Sequence, residues 1–485
     1  MSLINRLLKN TAALMTATAL QPILNFLLVL FISRYYGKSG LGEYTTAFAL
    51  LNMFQLFCAF NMRMLLAREV AKYPNDTNKY LMNGLLVVFL FSTISIIAML
   101  TMIQVLNYEP AIARMATVLS VSLLATGGIE CFIGILTGHE QLRIVAVMTI
   151  LEELVKVGLS IFLLYKNAGI FSVAVVFTVL RFFNMGATFA YISRKLLLIK
   201  WQLDCLFGKH LILLVRYFAL SILFVSIFWQ LDVVLISKLK GIEAVGVFSA
   251  AFRISRITFL LFQSFIVAFY PVLCKLHKES LEKAEHAFFR ASKYLIILAI
   301  PVVLFVIFLA DDILLLLFGQ DFKDSILVLK LLIGGLIPYL LMTSFSHLFL
   351  ATGHQKIDFV MNVIGVIFKF SLIYICAQFG GIYLVAIMST LSLCVMFVFQ
   401  WAVLLKKSIL QIRFRRLSGP IFKIGVAAGS MLVIVLMLKP LTLYGALVVS
   451  LLAYFAVLYW VKAISTQDRN FLLAEIKRRI RPVSA

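Results

Sequence analysis

Apolar residues run along this chain in stretches of about 20, parted by short polar punctuation. Each stretch is long enough to cross a hydrocarbon layer of roughly 30 Å as a helix. The pattern predicts fourteen spans, near 11–33, 44–66, 81–105, 115–136, 144–165, 170–192, 213–236, 247–272, 294–318, 326–351, 358–379, 382–405, 424–438 and 441–461. The first follows only Arg6 and Lys9, is too long for a signal-peptide core and lacks a small-residue cleavage site, so it reads as a retained span.

Composition agrees with the pattern. Hydrophobic residues make up 63% of the 485 and charged residues 13%, against roughly half and a quarter in a soluble domain. The net charge of +23 would suit nucleic acid if it were spread over a surface, but it is sorted by loop. With the N-terminus in the cytoplasm, cytoplasmic segments hold 28 of the 44 Lys and Arg, outer segments eight and spans eight. That is a positive-inside bias. It predicts a multi-pass protein of a bacterial or archaeal plasma membrane with both termini cytoplasmic, and no nucleic-acid partner. The loops leave no room for a soluble catalytic domain, so no enzyme is expected. Six scattered cysteines and six unpaired histidines offer neither a disulfide framework nor a metal site. The basic and apolar residues of 194–210 fit either an interfacial helix or a basic loop.

One stretch is written twice. "FISRYYGKSGLGEYTTAF" (31–48) returns as "LISKLKGIEAVGVFSAAF" (235–252), with Ile32, Ser33, Gly37, Gly42, Ala47 and Phe48 matching Ile236, Ser237, Gly241, Gly246, Ala251 and Phe252. "TGHEQLRIV" (137–145) likewise returns as "TGHQKIDFV" (352–360). Six spans separate each matching pair, an even number, so the halves share one orientation and form a parallel repeat about an axis along the membrane normal. The expected fold is an all-α polytopic membrane protein of about 14 transmembrane helices. It divides into a six-helix lobe (1–192), a basic linker (193–212), a second six-helix lobe (213–405), two further helices (406–463) and a basic cytoplasmic tail (464–485).

Carried by "SRYYGKSGLGEY", "MLLAREVAK" (64–72), "ILTGHEQLRI" (135–144) and "LLLLFGQDFKDSILVLKLL" (314–332), the chain resembles the polysaccharide transporter family of O-antigen and exopolysaccharide flippases. The likeness runs through roughly residues 1–410. The family shares a superfamily with MATE multidrug exporters and lipid II flippases. The resemblance implies a two-lobed fold with alternating access. It also implies a polyprenyl-pyrophosphate-linked oligosaccharide as substrate, taken from the cytoplasmic to the outer leaflet.

Charges inside the spans are the candidate chemistry, because a charge in the bilayer is costly and marks function by default. Arg63, Lys156, Arg181, Arg216, Arg253, Arg256, Lys330 and Lys369 stand against Glu130, Glu152, Glu153 and Asp232. The positive excess suits pyrophosphate, whose oxygens take charge-assisted hydrogen bonds from Arg and Lys. Arg253 and Arg256 lie three apart on one helical face, and Lys369 has no carboxylate on its own helix. These three lead as substrate-binding residues, followed by Arg181, Lys156 and Arg63. Arg63 could instead snorkel from a span end, and Lys156 could pair with Glu152 or Glu153 on its own helix. Asp232 fits either an ion pair with the helix-8 arginines or, with Glu130, a proton or sodium coupling site. Pro22 permits a bend in the first span. In lipid II flippases arginines on helices 1, 2 and 8 line the cavity; Arg63 and the helix-8 pair match, and helix 1 has no match. Asp311 and Asp312 read as a solvated turn.

No cofactor is expected; membrane potential or H+ or Na+ exchange would supply the drive. Expected partners are the lipid-linked saccharide, membrane lipids, and the polymerase and glycosyltransferases of the same pathway. The alternatives are a cation-coupled MATE-like exporter, whose cationic substrates would prefer an acidic cavity, and a lipid II flippase. A membrane polymerase would need a sizeable outer loop, and a scaffold would leave the repeat unused.

Overall fold

A computed structural model describes residues 3–196, 198–407, 415–438 and 443–463. The loop 408–414 and the tail 464–485, both expected in the cytoplasm, lie outside the described residues. Among those described there is no strand, and fifteen α-helices follow one another: α1 Leu3–Cys58, α2 Met62–Lys72, α3 Thr77–Val105, α4 Pro110–Gly138, α5 Leu142–Tyr165, α6 Phe171–Lys195, α7 Cys205–Leu239, α8 Ile242–Glu279, α9 Leu281–Phe318, α10 Ser325–Ile333, α11 Leu336–Ala351, α12 Gln355–Phe379, α13 Ile382–Lys406, α14 Arg415–Leu438 and α15 Leu443–Trp460.

All fourteen predicted spans fall on these helices, with differences in continuity. Ten described helices are long and apolar enough to cross a membrane, or eleven if the bent pair α10–α11 is one span. The shortfall has local causes. The first two spans run into one long helical stretch, interrupted at Gly37 by φ 62° and ψ −158°. Its second part breaks again at Phe60 and Asn61, both with positive φ, before α2 begins. α10 and α11 meet at a 43° bend. α5 carries Glu152, Glu153 and Lys156 in mid-helix, and the apolar part of α14 is only Phe422–Leu438.

Helix ends follow sequence signals. α4 opens on Pro110, whose missing N–H is harmless in a first turn. Asp204 caps α7, accepting from the backbone N–H groups of Leu206 (3.0 Å) and Phe207 (3.1 Å). Residues 198–204 are not helical, so an interfacial helix over 194–210 is not what forms. This segment lies along α3, where two asparagines hold its backbone. Asn78 donates to Leu198 O (3.0 Å) and accepts from Lys200 N (3.2 Å). Asn83 donates to Gln202 O (2.9 Å) and accepts from Asp204 N (2.8 Å). An amide side chain offers a donor and an acceptor together, and the pairs satisfy polar backbone that no helix serves.

The chain resolves into two compact units. The first comprises Met1–Ile254, Asp312–Leu331 and His354–Ser392, the second Ser255–Asp311, Leu332–Gly353 and Leu393–Ala485. In the first, α2, α3 and α4 close a core around Met62, Leu66, Val88, Phe132 and Leu136, with Phe60 and Phe91 stacked 3.8 Å apart. In the second, α14 and α15 dock on α9: Ile297 packs with Ile424, Met431 and Leu458, and buried Tyr454 donates its hydroxyl to Ile297 O at 2.8 Å. The two helices beyond the repeat are therefore part of a packed core.

Candidate functional site

Unit one draws most of the candidate charges onto neighbouring helices. On α5, Glu153 and Lys156 are three residues apart and form the pair that the local spacing allows, Nζ to Oε1 2.6 Å, both buried. One residue earlier, Glu152 reaches α6, where Arg181 Nε lies 3.3 Å from its Oε1 and Asn184 donates to its other oxygen. Asn184 in turn accepts from Thr188 at 2.9 Å. Arg181 is thus paired across helices, a partner its own helix does not reveal. Arg63 on α2 stands 3.8 Å from Glu130 on α4, both partly exposed. The pairs are neighbours: Lys156 lies within electrostatic reach of Arg181 and Glu152, and Glu130 and Arg181 both act on Cys58.

An aromatic string joins this group to α8. Lys156 Nζ and Arg181 Cζ lie 5.8 and 5.2 Å from the Phe177 ring centroid. Phe177 meets Phe48 edge-on at 5.4 Å, Phe48 meets Tyr44 at 4.5 Å, and Arg253 Cζ lies 5.7 Å from the Tyr44 ring. Cations over aromatic faces are held by the ring quadrupole, more strongly where water is excluded. Arg253 differs from the other cations of this group. It faces the neutral Tyr44 phenol where Arg63, Lys156 and Arg181 each face a carboxylate. Its buried Nε, like that of Arg181, has no hydrogen-bond partner among the described residues. The cluster as a whole holds Arg63, Lys156, Arg181 and Arg253 against Glu130, Glu152 and Glu153.

Sequence reasoning overlooked Tyr44, Phe48 and Phe177. Tyr44 and Phe48 carried a signal, since they sit in the repeated stretch and match Phe248 and Phe252, which stack 5.8 Å apart.

Asp232 and Lys369 lie elsewhere in the same unit and find each other. Lys369 Nζ donates to Asp232 Oδ2 at 2.7 Å and to Phe228 O at 2.9 Å, over the Phe228 ring at 4.3 Å. Ser389 on α13 donates to the same Asp232 oxygen at 3.2 Å. The two side chains are 2% and 1% exposed, so the pair is dry and ties α7 to α12. The expected ion pair between Asp232 and the α8 arginines does not form, because Lys369 takes the carboxylate. Arg256 belongs to unit two, within electrostatic reach of Tyr339, whose hydroxyl donates to Gln263 at 3.1 Å. Pro22 is exposed inside α1, which continues helical past it. Asp311 and Asp312 are exposed, but they lie inside α9 well before its end at Phe318, so the turn read from the sequence is not what forms there.

The comparisons with known proteins agree with this fold. The family described as "Polysaccharide biosynthesis protein" matches residues 7–277, and the MatE family matches 218–375. A capsular polysaccharide biosynthesis protein CapF of Staphylococcus aureus is 22% identical over 370 residues, 74% of this chain and 89% of that protein. Among solved structures, a lipid II flippase MurJ in an inward closed conformation has a TM-score of 0.74 at 16% identity, covering 94% of this chain and 99% of its own. An inward-facing MATE family multidrug transporter has a TM-score of 0.64 at 17% identity, covering 80% and 96%.

Proposed function

We propose, from the premise that this chain belongs to the polysaccharide biosynthesis protein family, that it is a flippase for a polyprenyl-pyrophosphate-linked oligosaccharide. It carries the headgroup from the cytoplasmic to the outer leaflet of a plasma membrane by alternating access of lobes 1–192 and 213–405, with both termini cytoplasmic. The observation that carries this reading is Arg253, a guanidinium within a span segment that stands against the neutral Tyr44 phenol and not against a carboxylate. A diphosphate offers what such a group lacks: anionic oxygens in the planar, two-point geometry a guanidinium fits. Arg181 and Lys156 stand beyond Tyr44 and Phe177 as further positive charge, tempered by Glu152 and Glu153.

Lys369 has a different role in this reading. Its ammonium is spent on Asp232, so it holds two helices and not the substrate. The same contact bears on coupling, since Asp232 already has a cation from within the chain. Membrane potential is then the favoured drive. The CapF relative supports the pathway, in which the polymerase and glycosyltransferases of the same saccharide are the functional partners.

The test is Arg253→Ala in cells whose own flippase is deleted. The expected result is normal expression and insertion with lipid-linked saccharide accumulating in the cytoplasmic leaflet. Losing a charged hydrogen bond of about 1.5–3 kcal/mol corresponds to roughly ten- to hundredfold slower flipping. Arg253→Lys keeps the charge, loses the fork and should recover part of the rate. Full surface polysaccharide from Arg253→Ala at normal expression would overturn the role of Arg253. A cationic-drug exporter would instead show drug efflux that Arg253→Ala leaves intact.

A further inference from the structure

The two copies of the repeated stretch grip each other reciprocally, entirely within unit one. Lys38 and Gly42 of the first copy match Ile242 and Gly246 of the second. A Cβ on Gly42 would strike the carbonyl oxygen of Ile242, and a Cβ on Gly246 would strike that of Lys38. Each glycine meets the residue that matches the other's neighbour, which is the contact pattern of a two-fold axis. Gly37 and Gly241 match as well, and both take positive φ, 62° and 86°, where a side chain would be strained.

The basic residues ahead of these glycines repeat the exchange. Arg34 donates from Nε to Leu317 O at 2.9 Å and from Nη2 to Leu316 O, the last turn of α9. Its counterpart Lys238 donates from Nζ to Asn107 O at 3.0 Å, just past the last turn of α3, with the same nitrogen 3.8 Å over the Tyr108 ring. α9 and α3 are the third helical spans of the two halves. Carbonyls at a helix C-terminus lack helical partners and carry partial negative charge, so a cation there is doubly satisfied. Lys38 adds a pair with Asp324 at 3.1 Å, and Tyr108 and Ser237 hydroxyls meet at 3.1 Å. The connections 34–43, 106–114, 237–246 and 319–325, which the charge bias assigned to one side of the membrane, thus come together.

We propose that the two copies form a two-fold clasp closing the outer mouth of the translocation path, with Arg34 and Lys238 as its latches. The proposal rests on the flippase reading above. The glycines let backbone seal against backbone, and the latches hold by partly exposed charge-assisted bonds that water can replace when the mouth opens. Each latch is expected to weigh the closed state by roughly tenfold, and two separate latches multiply.

The experiment places a reporter thiol beneath the clasp. Ser249→Cys swaps one atom at a buried site on α8, in a background with Cys205, Cys274, Cys376 and Cys394 changed to serine. A membrane-impermeant maleimide is applied from outside. Labelling should rise about tenfold in Arg34→Ala or Lys238→Ala and about a hundredfold in both. It should return toward the parent rate in Arg34→Lys and in Lys238→Arg, and should not respond to Lys166→Ala on another outer turn. Unchanged labelling in the double variant, or an equal rise with Lys166→Ala, would overturn the clasp. Separately, Lys38→Cys/Asp324→Cys joined by a short cleavable thiol reagent should stop flipping until the bridge is cut. Flipping through an intact bridge also overturns the clasp. If labelling obeys the latches while even the parent chain moves no lipid-linked saccharide, the clasp stands and the flippase reading falls.

Discussion

At the scale of single residues, the deciding question for each buried charge is what neutralises it. Asp232 and Lys369 answer it for each other at 2.7 Å, almost wholly out of contact with solvent. Removing one member of such a pair leaves an uncompensated charge and typically costs about 3–5 kcal/mol, whereas an apolar replacement of both is often close to neutral. Lys369→Met and Asp232→Leu should therefore each lower the melting temperature and folded yield in detergent. Asp232→Leu/Lys369→Met should regain most of both, and full stability of either single variant would show that the pair is not structural. This pair was illegible in the sequence because its members are 137 residues apart and no local spacing announces them. Lys156 with Glu153 was legible, since i and i+3 share a helical face. The Arg181–Glu152 pair sits between: both residues were singled out, but the crossing from α6 to α5 that joins them is a packing outcome.

Elements were legible wherever an apolar run had the length of a span, and less so where the chain interrupts itself. The break at Gly37 and the bend between α10 and α11 follow backbone events that leave hydropathy unchanged. The path of 198–204 depends on Asn78 and Asn83, which read as ordinary polar residues near a helix start. The turn joining α4 to α5 is a joint of this kind and carries a pH prediction. His139 ends α4, with Nε2 3.1 Å from Thr77 Oγ1 at the start of α3. Thr77 spends its own hydrogen on Pro74 O, so Nε2 must be the donor and the imidazole can serve while neutral. Burial lowers the His139 pKa from its ordinary 6.5. As pH falls through 6.5 the unfolded chain takes up the proton before the folded one does, so stability present above that value is lost below it. Melting temperature in detergent should drop between about pH 7 and 5, and His139→Gln, which keeps a donor, should flatten that part of the profile. An identical acid slope in His139→Gln would assign the sensitivity to other groups.

For the molecule as a whole, the duplicated stretch predicted two lobes, 1–192 and 213–405, whereas the compact units divide the chain differently and place both copies in unit one. The reciprocal glycine and latch contacts add what a sequence repeat cannot give, namely that the copies touch. The source of energy belongs to this scale too. On the proposed flippase reading the cations of the unit-one cluster stay with the protein while a diphosphate headgroup moves, so a cycle would carry negative charge outward. With the cytoplasm negative, that motion gains about 2.3 kcal/mol per charge per 100 mV, enough to bias even a single-charge step by more than tenfold. Asp232 would be the natural seat of a sodium or proton coupling site, but its Oδ2 is held by Lys369 and Ser389. Its buried Oδ1 has no hydrogen-bond partner among the described residues, and a cation entering there would face the Lys369 ammonium across the same carboxylate. In vesicles carrying the reconstituted protein and a lipid-linked saccharide, an inside-negative potassium diffusion potential should speed outward flipping, and collapsing it should slow flipping. Replacing sodium by choline at clamped potential should leave the rate unchanged. A rate that follows sodium or pH at fixed potential would mean that a cation does reach the Asp232 carboxylate beside Lys369, and the drive would then lie at the α7–α12 tie and not in the headgroup's own charge.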